Sequence, residues 1–488
     1  MKFKLAIIST ITLLSEFCAA SVTAAYVFPN EKQIEFAAMN GVKVAAYEGH
    51  YFVAENRNNP KSRTIRLNYV RFPATGKSHG APIVYLAGGP GGSGISTAKS
   101  KRFELFMALR EYGDVIALDQ RGTGVSESAP PCVSSVTIGL TEVISKTEVD
   151  ARYKQAAQEC FTNWQAQGID VYGYTSVQNA LDIRDLRKHL NADKVTLWGI
   201  SYGSHLAMTA LKYMPEEIEK VIIASAEGLD QTVKLPSETD AYFSNVQGII
   251  NKQALKEQVP DLPKLMKRVH MKLAANPVTV TVPKRGGEPY TLLFQKHHMQ
   301  MLASMMIADP NQYLAMLIQV YQDLDKGNYA LLQNILGRGI FAEEQIQFRL
   351  MSLAMDVASG ISNERLARVR AEAESSLLGE ALNFPMPALA LVDKKLDLGD
   401  DFRAPLKSNV PTLLLTGSLD GRTYPSEQIQ SVTGLSKLTQ VTVTNAGHNL
   451  YTVSPKVLEV MHAFMKDEKI TQSNIDLPEP NLMFAMGK

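Results

Sequence analysis

Around residue 200 the chain changes its hydrophobic period abruptly. An apolar run beginning at Val195 stops at Gly199-Ile200-Ser201-Tyr202-Gly203, and Leu206, Ala207, Ala210, Leu211 and Met214 follow at helical spacing, closed by Pro215. This predicts a strand, a tight turn and a helix. Upstream, residues 34–72 alternate as antiparallel strands do. Val42, Val44 and Ala46 share a face, then Tyr51 and Val53, then Ile65, Leu67, Tyr69 and Arg71. Residues 56–62 supply turn chemistry between the last two groups. Continuous apolar runs at 83–87, 115–118 and 221–224 have the character of strands covered on both faces. A helical pattern over 177–190, with Thr175 or Ser176 as its cap, falls among them. The alternation describes an α/β architecture, a mostly parallel sheet flanked by helices.

After Leu229 the rhythm changes. Residues 230–403 read as helical and rich in methionine, with one strand-like interruption at 278–282; the sheet pattern returns at 410–416 and 441–444. An insertion of this size between late core strands predicts a mainly helical cap over the site. The expected divisions are a leader at 1–25, a first core part at 26–229, a cap at 230–404, and a second core part with an irregular tail at 405–488.

Composition narrows the partners. A net charge of +1 over 488 residues, without a long basic stripe, argues against nucleic acid, and 45% hydrophobic residues excludes a wholly disordered chain. Lys2 and Lys4 precede an apolar run over 5–14 and small residues at Ala19, Ala20, Ala24 and Ala25, the pattern of a secretory signal peptide. The run is too short to span a bilayer comfortably, and Glu16 and Phe17 before Cys18 fit a lipoprotein signal poorly. Export to a periplasm or beyond, without a stable membrane anchor, is expected. Cleavage leaves Cys132 and Cys160, a pair expected to be bridged in an oxidising compartment.

The turn at 199–203 is where chemistry enters. A serine hydroxyl becomes a useful nucleophile when a base takes its proton and a carboxylate orients that base. Asp420 stands four residues beyond Thr416, and His448 four beyond Thr444, each just past a strand run. Ser201, Asp420 and His448 therefore appear in the order that a Ser-acid-His triad takes on such sheets. Gly88-Gly89-Pro90-Gly91-Gly92-Ser93-Gly94 directly follows an early strand, and the backbone N–H groups of Gly89 and Tyr202 are candidate oxyanion donors. No G-K-[ST] follows these glycines, which argues against a phosphate cradle. His297 and His298 are adjacent rather than spaced along one helix face, so no metal site is read, and no cofactor is implied.

Gly88-Gly89-Pro90-Gly91, Asp119-Gln120-Arg121-Gly122-Thr123-Gly124-Val125-Ser126 and Gly199-Ile200-Ser201-Tyr202-Gly203 together resemble the α/β-hydrolase serine aminopeptidases. These are the proline iminopeptidases and, more closely, the secreted tripeptidyl aminopeptidases of peptidase family S33. The likeness extends to Tyr174-Thr175, the 182–190 helix, the two cysteines, and the Asp420 and Gly447-His448 segments. It implies Ser201 as nucleophile, Asp420 as orienting acid and His448 as base, with 119–126 shaping the loop beside the site. Two departures stand out: Ala87 replaces the histidine usual before the glycines, and Met355 replaces a cap cysteine of the tripeptidyl relatives. An aminopeptidase must also hold a free ammonium, and Glu227, where those relatives carry aspartate, is a candidate contact. Met299, Met301, Met305, Met306 and Met316 are expected to fill the cap core or line an adaptable pocket. The leading expectation is an exported serine aminopeptidase acting on short peptides. The alternatives are an esterase or small-amide hydrolase with the same triad, and a non-catalytic binding protein of the same fold. Oligomeric state is not legible.

Overall fold

The computed structural model of the protein describes residues 27–77, 80–283 and 287–484. The leader expected at 1–25 lies outside the described residues.

Ten strands make the main sheet: β1 (Glu31–Ala37), β2 (Lys43–Ala54), β3 (Thr64–Phe72), β4 (Ile83–Leu86), β5 (Val115–Leu118), β6 (Val195–Ile200), β7 (Ile218–Ala224), β8 (Thr412–Gly417), β9 (Leu438–Thr444) and β10 (Asn474–Asp476). Their spatial order is β1-β2-β3-β5-β4-β6-β7-β8-β9-β10. The first three strands form an antiparallel meander that joins β5, and from β5 to β10 every pairing is parallel. β4, β5 and β6 are buried at every residue, as their unbroken apolar runs require. Alternate side chains feed two apolar layers. Val84, Leu86, Val195 and Leu197 pack into one, and Ile83, Tyr85, Trp198 and Ile200 into the other.

Helices cover both faces. Thr175 caps the helix Ser176–His189 through Gln178 N, and this helix packs beside the helix Tyr202–Tyr213 that follows β6. Between β7 and β8 the chain is mainly helical, with its own apolar cluster that includes Met299 and Met306. Met301 lines a cavity of about 560 Å³, Met305 is exposed, and Met316 packs against the cluster.

Three features go beyond the sequence pattern. The strand Val278–Val282 is one half of a hairpin with Tyr290–Phe294. A third strand of the insertion, Gln345–Phe348, pairs with Cys132–Thr137, which the apolar pattern did not mark. The tail is not wholly irregular, because β10 adds to the sheet edge beside β9. Cys132 and Cys160 are joined in a disulfide. Among the described residues no helix is long and apolar enough to cross a membrane.

Candidate active site

Ser201 sits where β6 ends and the helix Tyr202–Tyr213 begins, at φ 55° and ψ −130°. A non-glycine residue seldom takes a positive φ, so the surroundings must hold it there. The flanking glycines supply the room. A Cβ on Gly199 would stand 2.6 Å from Gly203 O, and one on Gly203 would stand 2.1 Å from Leu86 O of β4. With both side chains absent, the helix starts against the strand and Ser201 turns outward, partly exposed. Its N–H donates to Ala224 O at the end of β7 (3.1 Å).

The next residue of that corner reaches the histidine. Ser225 Oγ donates to the His448 carbonyl (2.8 Å), so the backbones of Ser201 and His448 are both tied to the adjacent pair Ala224-Ser225. His448 Nδ1 lies 3.0 Å from Asp420 Oδ2 and 3.1 Å from Oδ1. The Asp420 carboxylate is completely buried and accepts from the N–H groups of Arg422 (2.8 Å) and Thr423 (2.9 Å) and from Thr423 Oγ1 (2.8 Å). Burial pushes this carboxyl up. The facing His448 ring, its hydrogen bond and the two N–H donors outweigh burial and hold Asp420 below the ordinary carboxylate value. An ionised Asp420 only accepts, so the Nδ1 proton belongs on His448, and Nε2 is left with a free lone pair.

The glycine loop after β4 abuts the same turn. A Cβ on Gly88 would come within 3.1 Å of Ser201 Cβ and 3.5 Å of Tyr202 N. Among the described residues neither Gly89 N nor Tyr202 N donates a hydrogen bond, so both remain available to an incoming oxyanion. The loop is braced from behind by Asp119, which accepts from Ser93 Oγ (2.6 Å), Ile95 N (3.1 Å) and Val125 N (2.8 Å). Beside it the buried Arg121 is bound to Asp182 (2.6 Å).

Residues 81–278 match the family model described as the alpha/beta hydrolase fold. The chain is an α/β hydrolase by fold. It is similar to the serine protease Hip1 of Mycobacterium tuberculosis, 26% identical over 186 residues, which is 36% of this chain and 35% of that protein. It is similar also to the putative hydrolase YuaR of Escherichia coli, at 29% over 34% of this chain and 32% of that one. The tripeptidyl aminopeptidase of Streptomyces coelicolor is 28% identical over 36% of this chain and 34% of its own. The chain spans about a third of the length of these relatives.

In this α/β hydrolase Glu227 is buried, and its carboxylate is engaged by Lys234. Lys234 also donates to Thr232 O (2.7 Å). Burial pulls the Lys234 ammonium down to about 7, with the nearby Arg422 adding to the effect. Asp356 is the one charge in the apolar helix Leu350–Ser359, and burial pushes its carboxyl up to about 7. Sequence reading missed Tyr451: its hydroxyl donates to Gly199 O (2.7 Å), and no local pattern announces that contact. Among the described residues no group of three or more metal-ligating side chains occurs.

Proposed function

We propose that the protein is an exported serine aminopeptidase that hydrolyses short peptides from a free N-terminus through an acyl-enzyme on Ser201. The observation that carries the reading is the anchoring of the strained Ser201 turn and the Asp420-bound His448 on one corner, Ala224-Ser225. His448 Nε2 takes the hydroxyl proton as Ser201 Oγ attacks the scissile carbonyl carbon. The developing oxyanion is received by the N–H groups of Gly89 and Tyr202. As the carbon–nitrogen bond breaks, His448 gives its proton to the leaving amine, and the N-terminal fragment stays esterified to Ser201. Water then repeats the sequence with His448 again as base and frees the acid. Peptides are favoured as substrates by the peptidase names among the relatives. Export is favoured by the leader pattern over 1–25 and by the Cys132–Cys160 disulfide.

The test is hydrolysis by the purified mature protein, with Ser201→Ala as blank. Anilides of one to three residues, with free and acetylated N-termini, are compared with a short-chain ester. Turnover confined to free-amine peptides is expected. Turnover of esters and acetylated substrates alone would overturn the proposal in favour of an esterase.

A further inference from the structure

Arg422 stands two residues past Asp420, and its backbone N–H is one of the donors that hold that acid. A Cβ on the neighbouring Gly421 would stand 2.3 Å from Ile307 O, so this loop lies hard against the end of the helix Lys296–Met306 of the insertion. His448 N donates to Ala308 O (2.8 Å), so the same segment also covers the base loop. On another side stands Lys234, near enough to feel the Arg422 charge. Lys234 is bound to Glu227, whose N–H donates to Ser204 Oγ (2.8 Å) in the first turn of the helix after Ser201. Arg422 therefore lies between the insertion and the nucleophile helix, beside the triad acid.

The acids of this region are engaged elsewhere. Glu227 is bound to Lys234, Glu427 to Arg365, and the charge that reaches Asp356 is that of Lys234. Asp420 is taken up by the N–H groups of Arg422 and Thr423, by Thr423 Oγ1 and by His448 Nδ1. Among the described residues no carboxylate forms an ion pair with Arg422. Its side chain makes one long hydrogen bond, from Nη1 to Ser304 O (3.5 Å). Nε and Nη2 have no partner, and neither is sealed from solvent in a residue that is itself partly exposed. Burial nevertheless pulls the guanidinium below the ordinary arginine value, so its open edge faces a recess and not bulk water. The Nε–Nη2 edge of a guanidinium fits a carboxylate through two parallel hydrogen bonds.

We propose that Arg422 binds a carboxylate of the peptide substrate through its free Nε–Nη2 edge, and so makes the enzyme favour acidic peptides. The assignment rests on the aminopeptidase reading above and names its substrate class. A peptide offers this carboxylate from two sources, an Asp or Glu side chain on the acyl side and the C-terminus of the leaving fragment.

Two substrate series separate the sources, each with a free N-terminus. The first is alanine tripeptide anilides carrying Glu or Gln at each position in turn; the second is alanine pentapeptides ending in a free acid or an amide. In one series the natural protein is expected to favour the carboxylate in kcat/KM. Arg422→Gln is expected to lower that ratio roughly 10- to 100-fold, as loss of a charged hydrogen bond implies. A preference confined to the anilides assigns the side chain, and one confined to the pentapeptides assigns the C-terminus. Should Arg422→Gln fail to fold, Arg422→Lys replaces it: the charge stays but the fork is lost, and the ratio should fall about fivefold or more. Free-amine turnover with no acidic preference, or a preference kept by the variant, would overturn this assignment alone. Turnover only of esters and acetylated substrates would overturn the aminopeptidase reading and this assignment with it.

Discussion

The Tyr451 hydroxyl, three residues past His448, donates to the carbonyl of Gly199, two residues before Ser201, at 2.7 Å. One hydrogen bond thereby joins the base loop to the nucleophile strand, between residues 252 positions apart in the chain. Tyr451 is buried against Trp198, with ring centroids 5.7 Å apart, so the ring has little freedom to move. Tyr451→Phe keeps the packing and deletes the tie. Steady-state kinetics should then show kcat lowered about tenfold with KM little changed, because small misplacement of a base is costly. Thermal unfolding should register a loss of about 1 kcal/mol. An unchanged kcat would mean that Ser225 and the Asp420 contacts suffice to place His448.

Ser201 separates chemistry from strain. Ser201→Ala should abolish turnover, by a factor on the order of 10⁶. At φ 55° the alanine remains strained, whereas Ser201→Gly relaxes the turn. The glycine variant should therefore be more stable than the alanine variant by about 1 kcal/mol. Equal denaturation midpoints for the two would show that the turn stores no strain.

Asp420 fixes the histidine proton on Nδ1. Asp420→Asn presents an amide donor where an acceptor is needed, and the ring turns its free lone pair toward residue 420. The expected loss in kcat is about 10⁴. Circular dichroism should report an intact fold. A loss of only a few-fold would remove Asp420 from the proposed mechanism.

His205 makes acid sensitivity a property of the core. It is completely buried, held by Gly228 O (3.0 Å) and Ser359 Oγ (2.9 Å), and burial pulls it down to about 4. An unfolded histidine titrates near 6.5. Between about 6.5 and 4 the unfolded chain therefore binds a proton that the folded protein refuses. Stability falls as pH drops through that window, by about 3 kcal/mol from this residue, and the contribution levels off below it. His270 and His297, likewise pulled down by burial to about 4, act in the same direction. Unfolding midpoints measured from pH 7 to 4 should decline, and His205→Gln should flatten part of the slope. Parallel slopes in the two proteins would mean that His205 is protonated in the folded state.

Much of the site was legible in the sequence because its signals are local. Ser201, Asp420 and His448 each stand just past an apolar run long enough to be a buried strand, and the order of those runs sets which end of the sheet they share. Gly199 and Gly203 announce the close approach that the turn requires. The unbroken runs of β4, β5 and β6 likewise announce strands with both faces covered. Where the pattern is short or weakly apolar, as in Cys132–Thr137 and Asn474–Asp476, pairing with a distant partner makes the strand, and sequence reading passed over both.

By itself the sequence determined the α/β alternation, the sharp turn at Ser201 and the residue types that follow the late strands. Backbone sterics and hydrophobic period act over a few residues and leave their mark in order. Only the tertiary structure decided which charges are answered. Glu227 reads in the sequence as a lone carboxylate open to a substrate, but the fold closes Lys234 on it. That difference depends on where side chains from separate elements meet, and contact of this kind has no period along the chain.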